Sequence, residues 1–144
     1  MIDHKITKGL SRIYTKKGSM FDTGSSSLGV ETLDFLISTP TIVNMIIEAS
    51  HELLDSLIPD SYITVGKHID VTHEKPTLVD ENISLILTVE QIEDDKIYLD
   101  VHVNDSQGQI CKGKYLRVIT NKDKLIEAAY SRSAQLDLSS KKLK

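Results

Sequence analysis

The segment Ser38–Leu57, STPTIVNMIIEASHELLDSL, decides the fold. We expect Thr39 to cap a helix here, because its hydroxyl can accept a hydrogen bond from a free amide of the first turn. Pro40 fits the first helical position, where no amide donor is needed. Most other side chains are apolar, so the pattern predicts a helix to about Leu57 that is covered on most sides. Its polar residues form one narrow stripe: Asn44, Glu48, His51, Glu52 and Asp55.

From Tyr62 onward the apolar side chains recur at every second residue, which predicts strands. In YITVGKHIDVTH (Tyr62–His73) this alternation places Val65, Ile69, Val71 and His73 on one face. Residues 81–92 and 96–105 alternate in the same way, and GKYLRVIT adds a fourth strand. We interpret these strands as successive antiparallel hairpins, a meander.

The flanking segments are less regular. LSRIYTK favours a short strand, and the Gly- and Ser-rich residues 18–29 favour a loop that is a lid or a binding loop rather than a plain connector. NKDKLIEAAYSRSAQL predicts a second, amphipathic helix with Asn121 as its cap. We therefore expect an N-terminal strand and loop region over residues 1–34, a domain over 35–132, and a polar tail over 133–144.

Composition excludes several classes of protein. The chain of 144 residues suits one domain. Its net charge of −4 argues against a general nucleic-acid binder, which needs a basic stripe. Cys111 is the sole cysteine, so no intramolecular disulfide can form. No long apolar run predicts a membrane span and no signal-peptide layout opens the chain, so we expect a cytoplasmic protein. No zinc-type spacing or phosphate-loop motif occurs, and we expect neither metal nor cofactor.

A nearly apolar helix followed by antiparallel strands resembles the hotdog fold, an α+β fold in which an antiparallel sheet wraps a central helix. The residues resemble the fluoroacetyl-CoA-specific thioesterase-like family over roughly residues 35–130. The matching motifs are Thr39-Pro40, VGKHIDVTH at Val65–His73, KPTLV at Lys75–Val79 and GKYLR at Gly113–Arg117. The resemblance implies paired subunits. Long strand edges also invite pairing, so we expect a homodimer or a dimer of dimers.

The resemblance implies catalysis by a threonine, a glutamate and a histidine. Thr39 and His73 match the threonine and the histidine, and Glu48 is the candidate for the glutamate. The family's glutamate position holds Ile47, and Glu48 lies one residue later. One step along a helix turns a side chain by about 100°, so these two residues do not face the same way. We keep Glu48 as a candidate carboxylate, beside the alternative that it lies on a solvated helix flank. Tyr115 stands where the family often has histidine.

Each other candidate has a structural alternative. Thr39 could serve only as a cap, and His73, on an apolar face, could be a satisfied structural residue. His51 shows no constellation with other candidate residues. Cys111 reads as an inert buried thiol, because no base accompanies it. Lys112, Lys114 and Arg117 are interpreted as a charged solvent face, although cations near a pocket mouth would help to hold the phosphates of CoA.

The combined interpretation is an acyl-CoA thioesterase-like protein that hydrolyses a thioester to a free acid and CoA. Water attacks the carbonyl, helix-start amides stabilise the oxyanion and His73 assists proton transfer. The alternatives are a non-catalytic binder of acyl-CoA or another small apolar ligand, motivated by Ile47, and a structural or regulatory dimer. A hydratase is disfavoured because no aspartate–histidine dyad occurs at hydratase spacing.

Overall fold

A computed structural model describes residues 2–18 and 31–142. Most of the predicted Gly- and Ser-rich loop, residues 19–30, lies outside the described residues. Short 3-10 turns at Glu31–Phe35 and Asp55–Leu57 flank the first helix. The longer elements, in chain order, are β1 Ser11–Lys17, α1 Thr39–Leu54, β2 Tyr62–His73, β3 Asn82–Glu93, β4 Lys96–Asp105, β5 Gly108–Asn121 and α2 Lys122–Lys142.

The strands form one antiparallel sheet in the order β1-β3-β4-β5-β2. The hairpins that join β3, β4 and β5 are therefore confirmed. The predicted hairpin between β2 and β3 is wrong, because β2 pairs with β5 along its length, from Tyr62 opposite Asn121 to His73 opposite Cys111. Residues 74–81 carry the chain across the sheet instead. Alternation identifies a strand and its buried face, but it does not identify the strand's neighbour.

A register shift between Gly66 and His68 interrupts β2. Val65 lies opposite Val118, whereas Ile69 lies opposite the buried Tyr115. Tyr115 and Val118 are three residues apart on β5 and therefore point to opposite faces of the sheet. The predicted shared face of Val65 with Ile69, Val71 and His73 is therefore wrong. The extra residue of a bulge reverses the alternation at this point.

Helix α1 packs on the inner face of the sheet. Its buried residues include Ile42, Ile46 and Leu53, which are at most 2% exposed. Fully burying a side chain of this type stabilises the fold by roughly 1.5–3 kcal/mol. The predicted inner faces of β3 and β4 are all buried: Ile83, Leu85, Leu87, Val89, Ile97, Leu99, Val101 and Val103. Asn44, Glu48 and Glu52 form the exposed outer stripe of α1.

Helix α2 continues from β5 and begins as the sequence predicted. The Asn121 side-chain oxygen accepts a hydrogen bond of 3.1 Å from the Lys124 amide. The side chains of residues 122–135 are exposed. The predicted domain boundary at residue 132 lies within this helix. Within the described ranges, neither α2 nor any other helix is long and apolar enough to span a membrane.

Candidate active site

Ser38, and not Thr39, caps the N-terminus of α1. The Ser38 hydroxyl oxygen accepts a hydrogen bond of 3.2 Å from the Thr41 amide, and the Ser38 backbone is extended, as an N-cap requires. The predicted cap at Thr39 is therefore wrong by one residue. Thr39 and Pro40 become the first two helical residues. Because Ser38 supplies the side-chain cap, the Thr39 hydroxyl is available for another role.

The Thr39 hydroxyl contacts the His73 imidazole. The distance from Thr39 Oγ1 to His73 Nδ1 is 2.7 Å, a strong hydrogen bond. Thr39 is exposed at the start of α1, and His73 is half-buried at the end of β2. The structure thus brings together two residues that are 34 positions apart in the sequence.

The other imidazole nitrogen of this pair has no partner. His73 Nε2 is buried and makes no hydrogen bond to any described residue. If Nδ1 accepts the Thr39 proton, Nε2 carries the ring hydrogen, and a buried unsatisfied donor costs about 1–3 kcal/mol. An acceptor from a ligand or a second subunit would remove this cost. His73 is therefore a candidate base whose Nε2 lacks an acceptor among the described residues.

One backbone amide at the start of α1 is free to hold an oxyanion. The Thr39 amide has no acceptor among the described residues. Pro40 has no amide hydrogen, Ser38 holds the Thr41 amide through its hydroxyl, and the Ile42 amide donates to the Ser38 carbonyl. The predicted group of helix-start donors therefore reduces to the Thr39 amide, beside the hydroxyl that contacts His73.

Ile47 and Glu48 lie on different flanks of α1. Ile47 lines a groove of about 490 Å³ between α1 and β2, which we call the α1–β2 groove. Glu48 is exposed and lines a separate cavity of about 240 Å³ against β1, together with Tyr14 and Glu52. Neither Thr39 nor His73 lines the Glu48 cavity. The structure therefore does not bring Glu48 to the other two predicted residues.

The prediction that Arg117 lies on a charged solvent face is wrong. Arg117 is 1% exposed and lines the α1–β2 groove. Its Nε donates to the Thr64 hydroxyl at 2.9 Å, and Nη1 donates to the Tyr115 hydroxyl at 2.7 Å. Its Nη2 donates to the Thr64 carbonyl at 2.5 Å and lies 3.0 Å from His51 Nε2. These contacts fix the guanidinium in one orientation.

His51 and Asp55 complete this network. His51 Nδ1 lies 2.6 Å from Asp55 Oδ2, and Asp55 Oδ1 accepts a hydrogen bond of 2.6 Å from the Thr64 hydroxyl. Because arginine only donates, His51 Nε2 must accept from Arg117, and Nδ1 then donates to Asp55. The prediction that His51 has no constellation is wrong. Its spacing of four residues from Asp55 on a helix was the available signal.

Tyr115 lies directly against the backbone of Gly66. A Cβ atom added at Gly66 would lie only 2.3 Å from the Tyr115 hydroxyl oxygen. The Arg117 guanidinium carbon also lies 5.4 Å from the centre of the Tyr115 ring, within range of a cation–π contact. Gly66 thus admits the tyrosine that stands where the family often has histidine.

The remaining candidates do not join a site. Cys111 is fully buried, and burial raises the pKa of its thiol, with a smaller contribution from the Glu74 carboxylate. Lys114 forms exposed ion pairs with Glu90 and Asp100. Among the described residues, no group of three or more His, Cys, Asp or Glu side chains is placed to hold a metal ion.

Comparison with known proteins decides the family. The model of the fluoroacetyl-CoA-specific thioesterase family, FlK, matches residues 22–123. The chain belongs to this family. No curated protein sequence matches it. The family match covers both residues of the Thr39–His73 contact, together with Ile47 and Arg117.

Solved structures of similar proteins show the hotdog fold. A hot-dog-like protein from Thermanaerovibrio acidaminovorans is 23% identical, with a TM-score of 0.80 over 87% of this chain and 91% of that chain. A mutant of the fluoroacetyl-CoA-specific thioesterase FlK is 14% identical, with a TM-score of 0.82 over 89% and 98%. A thioesterase superfamily member from Thermus thermophilus is 17% identical, with a TM-score of 0.78 over 94% and 98%. These similarities confirm the predicted fold class.

Proposed function

We propose that this protein hydrolyses an acyl-CoA thioester to a free acid and CoA. The observation that carries the proposal is the 2.7 Å contact between Thr39 Oγ1 and His73 Nδ1. Membership of a thioesterase family supports the reaction class, and mutants of FlK have been crystallised with fluoroacetate and CoA and with acetyl-CoA.

The chemistry follows from the groups around Thr39. A water held by the Thr39 hydroxyl attacks the thioester carbonyl, giving its proton to Thr39 as Thr39 passes its own proton to His73 Nδ1. The Thr39 amide donates to the oxyanion that forms. The carbon–sulfur bond then breaks, and the CoA thiolate takes the proton from the imidazolium. The products are a free acid and CoA, and His73 returns to its neutral form.

A homodimer formed through β2 is part of the proposal. Strand β2 is at one end of the sheet, so its outer edge has no partner strand among the described residues. The half-buried Ile47 and Ile69 line the α1–β2 groove, and the half-buried Val43 lies one helical turn before Ile47 on α1, so a second copy at this edge would cover them. A twofold axis pairs the two β2 edges antiparallel. The His73 end of one β2 strand then lies beside the half of the other β2 strand that contains Gly66.

A non-catalytic binder of acyl-CoA is the second candidate function. Ile47 favours it, because an isoleucine at the family's glutamate position cannot act as a base or nucleophile. Glu48 stays a candidate carboxylate only by prediction, since it faces the β1 side of α1. Turnover distinguishes the two candidates, because a binder holds the thioester intact.

The test is release of CoA from acetyl-, butyryl- and benzoyl-CoA by the wild type and by His73→Ala. We expect the substitution to lower the rate by at least about 100-fold, the usual contribution of a positioned base. His102→Ala is the matched control, because His102 is a partly exposed histidine paired with Asp100 and Gln109. Equal rates for the wild type and His73→Ala would contradict the hydrolase proposal. Binding without turnover would instead establish the acyl-CoA binder.

A further inference from the structure

The α1–β2 groove contains a buried cation whose direct contacts are all uncharged. Arg117 is 1% exposed, and none of the ion pairs among the described residues includes it. Asp55 reaches it only through Thr64 and His51. A guanidinium keeps its charge throughout the accessible pH range. Burying that charge without a directly bound anion is costly, so the groove favours an anionic ligand.

Two hydrogen-bond donors in this network are uncommitted within the described part of the chain. Nη1 of Arg117 carries two hydrogens, and its single contact is the Tyr115 hydroxyl. That hydroxyl accepts from Arg117, so its own hydrogen remains available. Tyr115 is 4% exposed, and both residues line the groove. A carboxylate could accept from both donors at once, one hydrogen bond from the charged guanidinium and one from the Tyr115 hydroxyl.

The rest of the groove fits an aliphatic chain. Ile47, Ile63 and Ile69 contribute apolar surface to its walls. Ile47 also leaves the groove without a carboxylate at the family's glutamate position, so no fixed anion there competes for Arg117. The groove therefore combines a buried cation with apolar surface, and the exposed Lys67 and His68 also line it.

We propose that Arg117 and Tyr115 bind the terminal carboxylate of the acyl group, so that the substrate is the CoA thioester of a dicarboxylic acid. This inference rests on the proposed function. His51, which contacts Arg117, lies about 18 Å along α1 from Thr39 in the same protomer. A short acyl chain cannot bridge this distance. Antiparallel pairing of two β2 edges brings the His73 end of one protomer to the Gly66 half of the other. The acyl group therefore lies between two subunits.

The first experiment compares succinyl-CoA with butyryl-CoA. Both acyl chains have four carbons, and they differ in a terminal carboxylate against a methyl group. We expect the wild type to favour succinyl-CoA by roughly 10- to 100-fold in kcat/KM, the range of a hydrogen bond to a charged group. Tyr115→Phe should reduce this preference by about tenfold while Arg117 stays in place. Ile47→Glu should reverse it, because the new carboxylate occupies the same groove.

Binding separates a failure of this inference from a failure of the proposed function. Non-hydrolysable thioether analogues of the two substrates are titrated by calorimetry against the wild type, Tyr115→Phe and Ile47→Glu. If neither thioester is hydrolysed but the succinyl analogue binds more tightly, the carboxylate site stands and the hydrolase proposal fails. Equal affinity for both analogues, or turnover that favours butyryl-CoA in the wild type, would overturn the carboxylate site.

Free CoA is the control for the phosphate groups. If Arg117 and Tyr115 held a phosphate of CoA, Tyr115→Phe would weaken free CoA as much as the succinyl analogue, which would overturn the proposal. We expect free CoA to bind the wild type and Tyr115→Phe equally. The two substitutions change the groove in different ways, so a folding defect in one leaves the other as a test. Circular dichroism checks the fold of each variant.

Discussion

The two ends of α1 present a histidine in different settings. At the N-terminal end, His73 contacts one exposed hydroxyl, and its second nitrogen is buried without a partner among the described residues. Toward the C-terminal end, both nitrogens of His51 are engaged, one by Asp55 and the other by Arg117. An imidazole that must exchange protons needs one nitrogen free to change its bond. Under the proposed function, this difference favours His73 as the reactive residue and His51 as a positioning residue.

The two ends of α1 also differ in how far their polar groups are exposed to water. Thr39 lies at the surface, where losing its hydrogen bond exposes groups to water at little cost. Arg117 and Thr64 are almost fully buried, so each lost contact leaves an unsatisfied group inside the protein. Substitutions of Thr39 should therefore lower activity, and those in the buried network should lower stability.

The largest expected effect on stability is that of Arg117→Met. The substitution leaves the Thr64 carbonyl, the Tyr115 hydroxyl and His51 Nε2 without their donor. We expect the free energy of unfolding to fall by about 3 kcal/mol, in the range for breaking a buried charged network. Urea unfolding, followed by circular dichroism, measures the change.

Lys114→Met is the matched control for this prediction. Lys114 is also a cation on β5, but its ion pairs with Glu90 and Asp100 are exposed. We expect its unfolding midpoint to match that of the wild type. A similar loss of stability in both variants would show that the buried network contributes no more than a surface ion pair, and the contrast between the two ends of α1 would fail.

The next effect is that of Gly66→Ala. The added methyl group would overlap the Tyr115 hydroxyl, which Arg117 holds in place, so either the tyrosine or β2 must move. We expect the free energy of unfolding to fall by about 2 kcal/mol, as for other overpacked sites. The double variant with Tyr115→Phe should recover part of this loss, because it removes the closest atom. Equal unfolding midpoints for Gly66→Ala and the double variant would contradict the assigned contact.

Much of the fold could be predicted from local pattern. Strict alternation identified the buried faces of β3 and β4, because each of these strands has one face in the core. The neighbour of β2 could not be predicted, because pairing with β5 depends on contacts distant in sequence. The face of Val65 was misplaced because a bulge adds one residue without leaving a pattern in the sequence.

The candidate site was predicted in part. The resemblance to a thioesterase family indicated Thr39 and His73, and the structure brings the two side chains together. The buried position of Arg117 could not be predicted, since it depends on Thr64, Tyr115 and His51 from three different elements. A charged residue on a strand is usually exposed, and only its partners show that this one is not.

The smallest expected effect on stability is that of Ser38→Ala. Comparing it with Thr39→Val distinguishes the helix cap from the hydroxyl proposed to activate the water. Ser38→Ala removes the acceptor for the Thr41 amide and should lower the free energy of unfolding by about 1 kcal/mol. Thr39→Val keeps the shape of the adjacent side chain but removes the hydroxyl that contacts His73. We expect this variant to unfold at the wild-type urea concentration, while its rate of CoA release falls by at least about tenfold.

The two substituted residues are adjacent, yet Ser38→Ala should lower the free energy of unfolding and Thr39→Val should lower the rate of CoA release. Urea unfolding and CoA release, taken on both variants, therefore test whether stability and reactivity are divided between Ser38 and Thr39. A loss of stability in Thr39→Val as large as that in Ser38→Ala would make the threonine a second cap. If both variants also released CoA at the wild-type rate, the Thr39–His73 contact would have no part in the reaction, because only Thr39→Val removes that contact.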